Sequence, residues 1–158
     1  MINKRLELSR EDVLAYSNNV NEKIKKLNFY NKDLVIASYM PIRNEIEIKL
    51  DNKIICYPKI EGDNINFYIP NSFTKGVFNI LEPVGKYISK DKIDIIIVPL
   101  LYFDKDNNRV GYGNGYYDRY LSDYKGITIG VGYDFQEVDK IDAKPTDVKL
   151  NYIVKGEK

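Results

Sequence analysis

Apolar residues near the start of the chain recur at helical spacing. Val13, Val20, Ile24 and Leu27 fall on one stripe, separated by lysines, glutamates and asparagines. Ser9, with Asp12 three residues on, is a weaker form of the capping box. The pattern therefore predicts an amphipathic helix over residues 9–28, its charged face in solvent. The period then shortens. Leu34 to Met40 reads as a strand, and Glu45 to Leu50 alternates strictly, with Ile46, Ile48 and Leu50 on one face. Asp51-Asn52 is a turn signal before Lys53 to Tyr57, so a hairpin is expected there. Gly62-Asp63-Asn64 is a further turn, leading into a strand from Ile65 to Ile69. Residues 70–92 carry Pro70, Gly76, Pro83 and Gly85 and read as irregular, with room for one short helix or strand.

Ile93-Asp94-Ile95-Ile96-Ile97-Val98-Pro99 is a short β-branched run, as in a strand buried on both faces. Tyr116 to Leu121 is helix-compatible, Ile127 to Tyr133 reads as a strand, Pro145-Thr146-Asp147 as a loop and Leu150 to Val154 as a closing strand. Helices interleaved with strands predict an α/β sheet sandwiched by helices. No repeat, low-complexity tract or linker divides the chain, so one domain over residues 1–158 is expected.

Composition narrows the function classes. The 158 residues suffice for a single sizeable core. A formal net charge of +1 gives no global electrostatic case for nucleic acid or an anionic membrane. The 14 tyrosines could stack on single-stranded nucleic acid, but they are scattered through strands where they would pack. No apolar run is long enough to span a bilayer, and the N-terminus is polar rather than signal-like. Cys56 has no partner for an internal disulfide, which fits a reducing cytoplasm. The absence of histidine removes Ser-His and Cys-His nucleophile pairs and His-ligated zinc. Catalysis would rest on carboxylates, cations, tyrosines, backbone dipoles or a carboxylate-bound hard metal, which suits phosphoryl transfer, where the protein mainly positions groups and neutralises charge.

The stretch with the most chemistry is Arg109-Val110-Gly111-Tyr112-Gly113-Asn114-Gly115-Tyr116-Tyr117-Asp118-Arg119. Glycine lets backbone N–H groups approach an anion, and the helix start that follows adds partial positive charge. Arg109 and Arg119 can supply charge to phosphates, and Asp118 can hold a metal counter-ion. The spacing is not that of a P-loop, and Tyr116 stands where a third dinucleotide-fold glycine would be.

Taken with Val98-Pro99-Leu100-Leu101-Tyr102-Phe103-Asp104, this segment resembles the P-x-x-x-F-D…R-[LV]-G-x-G-x-G-Y-Y-D-R signature of the 5-formyltetrahydrofolate cyclo-ligase (methenyltetrahydrofolate synthetase) family. The resemblance extends from Arg5-Leu6-Glu7-Leu8-Ser9, the family's R-x-x-L-S, to the closing strand. It implies a three-layer, Rossmann-like α/β fold with a mixed, mostly parallel sheet flanked by helices. It also implies ATP- and Mg²⁺-dependent conversion of 5-formyltetrahydrofolate to 5,10-methenyltetrahydrofolate, with release of ADP and phosphate. A non-catalytic nucleotide- or folate-binding relative of the same fold is the alternative.

Residue by residue, the resemblance implies nucleotide contacts from Arg109, Val110, Gly111, Tyr112, Gly113, Asn114, Gly115, Tyr116 and Tyr117. Arg109, Tyr116 and Asp118 would serve the chemistry directly. Tyr39-Met40-Pro41-Ile42-Arg43-Asn44-Glu45 matches the family's Y-x-P-x-x-x-E, so Met40 and Glu45 would hold the folate together with Tyr112, Gly113, Asn114, Gly115 and Tyr116. Asp118 and Asp147 would hold Mg²⁺, with Thr146 standing where the family usually has histidine. Family members usually carry a basic K-x-x-L-R segment that helps hold ATP; here only Lys4 and Arg5 lie near that point. The expected protein is a cytoplasmic monomer acting on ATP and 5-formyltetrahydrofolate, with neither nucleic acid nor membrane as partner.

Overall fold

The computed structural model describes residues 2–158. Its strands are β1 (Ile36–Ala37), β2 (Ile55–Glu61), β3 (Asn64–Lys75), β4 (Leu81–Ile88), β5 (Ile95–Val98), β6 (Tyr102–Phe103), β7 (Arg109–Val110), β8 (Ile127–Tyr133) and β9 (Tyr152–Gly156). The α-helices are α1 (Ile2–Leu6), α2 (Arg10–Lys25) and α3 (Tyr116–Leu121). Seven strands form one sheet in the order β4-β3-β2-β1-β5-β8-β9, with β6 and β7 pairing separately. The four pairings from β2 through β9 are parallel, while β2–β3 and β3–β4 are antiparallel. The sheet is thus mixed and mostly parallel.

β5 lies between β1 and β8, where its unbroken apolar residues are covered on both faces. All four of its residues are buried, Ile95 and Ile97 toward one face, Ile96 and Val98 toward the other. The first face packs against Val20 and Ile24 of α2, the second against Tyr120 and Leu121 of α3, giving three layers. Ser9 caps α2 by accepting the Asp12 N–H at 3.1 Å, and Val13, Val20 and Ile24 are its buried stripe.

Four sequence expectations are corrected. Glu45 to Leu50 is extended, with Ile46 buried, but it is no strand and forms no hairpin with Lys53 to Tyr57. Its backbone is bonded by helix side chains instead. Ser17 Oγ accepts the Glu47 N–H, Asn21 donates to Glu47 O, and Asn21 Oδ1 accepts the Lys49 N–H, each at 2.9 Å. Residues 55–57 begin β2, which pairs antiparallel with β3 across the Gly62 turn. Residues 70–92 are likewise not irregular. Most belong to a long β3–β4 hairpin that holds Pro70 and Pro83 and shifts register between Pro70 and Ser72. Gly85 is required in it: a Cβ there would lie 2.0 Å from Ile69 O. The first strand is also shorter than expected, and the last one starts two residues later.

The strand order reverses between β1 and β5. In open α/β sheets the crevice at the carboxyl ends of such strands is where ligands bind. Tyr39 and Met40 leave β1 there, and Pro99 leaves β5.

Candidate functional site

A cleft of about 1440 Å³ opens at that point, lined by residues just past β1 and β5, the β3–β4 hairpin tip, the glycine segment and the 141–148 loop. Met40, Glu45, Arg109, Val110, Gly111, Tyr112, Gly113, Asn114, Gly115, Tyr116, Tyr117, Asp118 and Asp147 all line it. The residues expected at the site, far apart in sequence, share one cavity.

The glycine segment is presented by the small β6–β7 hairpin. Its turn is built on buried Asp104, whose carboxylate accepts the N–H groups of Asp106 and Asn108 at 3.0 Å and that of Ile141 at 2.9 Å. Arg109 then enters the cleft. Its Nη1 donates to Pro99 O at 3.3 Å and its guanidinium lies 5.5 Å from the Tyr117 ring centroid. Arg109 Nε is sealed from solvent and has no partner among the described residues. Burial pulls this guanidinium's pKa below its ordinary value, against the opposing influence of Asp118, Tyr117 and Asp147. A desolvated cation with an unmatched donor is a site that an anion completes. Gly111 keeps it open, since a Cβ there would lie 2.5 Å from Arg109 Nη1. Gly113 and Gly115 have φ of 97° and 71°, the left-handed region in which glycine carries no Cβ penalty, and Gly115 caps α3. Arg119 is committed elsewhere: its Nε donates to Asp63 O at 3.1 Å and its guanidinium lies 5.3 Å from the Tyr116 ring centroid.

The opposite side of the cleft is organised by Glu45, only 5% exposed. Its Oε1 accepts the Ile42 N–H at 2.9 Å and its Oε2 accepts the Tyr112 hydroxyl at 3.2 Å. Burial raises the Glu45 pKa, opposed by the Ile42 N–H, Arg5, Tyr112 and Arg43. Glu45 projects from a turn in which Arg43 and Asn44 both have positive φ, 47° and 60°. Tyr112 therefore belongs to both sides, part of the glycine segment yet bonded to the acid across the cleft.

The chain matches the model of the 5-formyltetrahydrofolate cyclo-ligase family over residues 1–156. The chain belongs to that family. The 5-formyltetrahydrofolate cyclo-ligase of Mycoplasma genitalium is 31% identical to it, across 98% of this chain and 92% of its own length. The cyclo-ligase of Mycoplasma pneumoniae is 32% identical, across 99% and 94%. The solved structure of a 5,10-methenyltetrahydrofolate synthetase from M. pneumoniae superposes with a TM-score of 0.80 at 30% identity, covering 99% of this chain and 94% of that one. The solution structure of the Aquifex aeolicus 5,10-methenyltetrahydrofolate synthetase gives 0.84 at 33% identity, covering 98% and 84%. Membership in the cyclo-ligase family makes this chain a ligase by descent, and its sheet follows the architecture of those synthetases.

Within this cyclo-ligase fold, the two acids read as metal ligands stand on adjoining elements. Asp118, in the first turn of α3, accepts the Val148 N–H with Oδ1 at 3.2 Å, and Asp147 accepts the Lys144 N–H with Oδ2 at 2.8 Å. Each carboxylate keeps an oxygen outside those bonds. Among the described residues no cluster of three or more His, Cys, Asp or Glu could cage an ion. That donor set fits Mg²⁺, which takes one or two carboxylates and completes its shell with water and phosphate. No helix among the described residues is long and apolar enough to cross a membrane.

Sequence reasoning missed two contributors. The β3–β4 tip brings Val77, Phe78 and Leu81 to the cleft mouth with their apolar side chains exposed. Arg5, on α1, is 1% exposed and donates to Tyr112. The first was hidden by its prolines and glycines. The second had a signal in the R-x-x-L-S segment.

Proposed function

We propose that this protein performs the reaction for which its family is named, the ATP-dependent closure of 5-formyltetrahydrofolate to 5,10-methenyltetrahydrofolate with release of ADP and phosphate. The observation that carries this reading is that one cleft holds an unsatisfied buried cation on one side and a buried carboxylate on the other, joined through Tyr112.

A formyl amide is a weak electrophile, so its oxygen must first be made a leaving group. That oxygen attacks the γ-phosphorus of ATP, a P–O bond forms, and the bond to ADP breaks. N10 of the folate then attacks the formyl carbon, the C–O bond breaks to release phosphate, and the N10 proton is lost. No enzyme nucleophile is needed, in keeping with a chain that lacks histidine. Arg109 and the backbone of Val110 to Tyr117 would cradle the phosphates, with Arg109 and Tyr116 beside the transferred group. Mg²⁺, held by Asp118 and Asp147, would neutralise charge on the phosphate oxygens. Met40, Glu45 and the stretch from Tyr112 to Tyr116 would hold the folate, the Glu45 carboxylate accepting hydrogen bonds from pterin N–H groups. We take the protein to act in a reducing cytoplasm, where the buried free thiol of Cys56 is stable.

The test is spectroscopic. Protein, ATP, Mg²⁺ and 5-formyltetrahydrofolate should together give the near-ultraviolet band of the methenyl product, and omitting ATP should abolish it. A folded protein that produces no such band would sink the reading.

A further inference from the structure

Arg5 is a buried cation whose bonds go to neutral acceptors. Its Nε donates to Arg43 O at 2.8 Å, its Nη1 to Leu100 O at 3.4 Å and its Nη2 to the Tyr112 hydroxyl at 2.5 Å. No salt bridge to Arg5 occurs among the described residues. The anion it serves is one hydroxyl away. Guanidinium only donates, so the Tyr112 oxygen must accept from Arg5, and its single proton is free for Glu45 Oε2 at 3.2 Å. The turn that bears Glu45 is gripped in return. Asn44 Nδ2 donates to Arg5 O at 3.1 Å and Leu8 O at 3.2 Å, and the Tyr133 hydroxyl donates to Asn44 O at 2.7 Å. Arg43 and Asn44 hold left-handed backbone there, a conformation that persists only where surrounding contacts over-determine it. Arg5 itself does not line the cleft.

We infer that Arg5 is a positioning residue: through Tyr112 it aims a proton at Glu45, and through Arg43 it locks the turn from which Glu45 projects. The inference rests on the folate-binding role proposed for Glu45 and deepens it. The short helix α1 thereby sets the geometry of a carboxylate it never touches. The charge acts the same way as the geometry. Glu45 is faced by Arg5 from α1, by Tyr39 and Arg43 beside its own turn, by Tyr112 and Tyr117 from the glycine segment and α3, and by Tyr133 at the end of β8. Of these, Arg5 and Arg43 are the cations that favour its ionised form.

The experiment compares wild type with Arg5→Met and Arg5→Lys, measuring KM for each substrate through the product band and ATP binding without folate, over a range of acidic to neutral pH. Arg5→Met should raise KM for 5-formyltetrahydrofolate about 10- to 100-fold, while ATP affinity stays within about twofold. Its acid limb in kcat/KM for folate should move to higher pH, because Glu45 loses a favourable charge. Arg5→Lys keeps the charge but not the fork. It should retain the acid limb while recovering only part of the folate KM. Equal losses for both substrates, or a folate KM and acid limb that do not move, would overturn the inference. Should Arg5→Met fail to fold, Tyr112→Phe severs the same link without opening the core, and an unmoved acid limb there overturns it equally. Absence of turnover in wild type would refute the proposed reaction itself, and this inference with it.

Discussion

Two turns face each other across the cleft, and both enter the left-handed backbone region by opposite means. On the phosphate side the residues are Gly113 and Gly115, for which that conformation is nearly free, and a Cβ at Gly113 would meet nothing within 4 Å. On the acid side they are Arg43 and Asn44, which pay on the order of 1–3 kcal/mol each and are held by α1, Tyr133 and Arg5. Gly113 is open, and Gly111 and Gly115 lie against the ends of the flexible Arg109 and Arg119 side chains, so on the proposed reading this turn could adjust to a polyphosphate. A strained, over-bonded turn cannot adjust, and so presents Glu45 in one orientation before any ligand binds. The difference suggests a cleft with one pre-organised side and one adaptable side, meeting at Tyr112.

If the phosphate side acquires its order from ligand and metal, substitutions there should act on turnover more than on stability. The largest effect is expected from Asp118→Asn, which should remove most activity. Asparagine keeps an oxygen to accept the Val148 N–H, so the thermal midpoint should barely change. The loss would come from replacing a hard anionic ligand by a neutral amide. Normal turnover by this variant at limiting Mg²⁺ would count decisively against the metal assignment.

Arg109→Ala comes next. Arg109 Nη1 already bonds Pro99 O, whereas Nε has no partner among the described residues and is the donor left for a ligand. The apparent KM for ATP should rise about 10- to 100-fold, with a much smaller change for folate. Equal effects on both substrates would mean that Arg109 braces the turn through Pro99 rather than binding phosphate.

On the acid side, Glu45→Gln should weaken folate binding by about 1–3 kcal/mol and leave ATP binding alone. Stability should change in a pH-dependent way. Burial raises the folded-state pKa of Glu45 above its ordinary value of 4.5, so between the two values the folded state holds more protons than the unfolded one. Ionised Glu45 therefore costs stability, a cost absent below about pH 4.5 and fully present once pH exceeds the folded pKa. Glutamine removes that cost, so any gain in melting temperature at neutral pH should vanish on acidification. Unchanged folate affinity would remove Glu45 from the binding site.

How much of this was legible in the sequence follows from what each signal measures. Unbroken β-branched residues at 95–98 and the Ser9 cap before a helical stripe report burial and local geometry, and β5 and α2 follow directly. The alternation of Ile46, Ile48 and Leu50 also reports correctly that the chain is extended with one face on the core. It is silent on who bonds the backbone, and here Ser17 and Asn21 of α2 do what a neighbouring strand would have done. Prolines and glycines at 70–85 misled because β4 is an edge strand, where a proline such as Pro83 is tolerated. The glycine segment and the Y-x-P-x-x-x-E match were readable as a resemblance. That they share a cleft, and that Arg5 ties one to the other, depends on packing between residues 38 to 107 positions apart.

The smallest expected effect is the one that tests the comparison most directly, and it needs three variants. At position 44, Gly removes the left-handed penalty but loses the bonds from Nδ2, whereas Ala loses those bonds and keeps a Cβ. The difference between Asn44→Ala and Asn44→Gly therefore isolates backbone strain, and should be about 1 kcal/mol in favour of Gly by denaturant unfolding. At position 113 the open surroundings leave backbone strain as the only penalty for Gly113→Ala. If the glycine turn is adaptable, it can relax toward negative φ without disturbing the core. The unfolding midpoint should then hardly move, and ATP binding should absorb a penalty of at most about 1 kcal/mol. A Gly113→Ala protein destabilised as much as Asn44→Ala would show that both turns are equally locked, and the contrast between the two sides of the cleft would be lost.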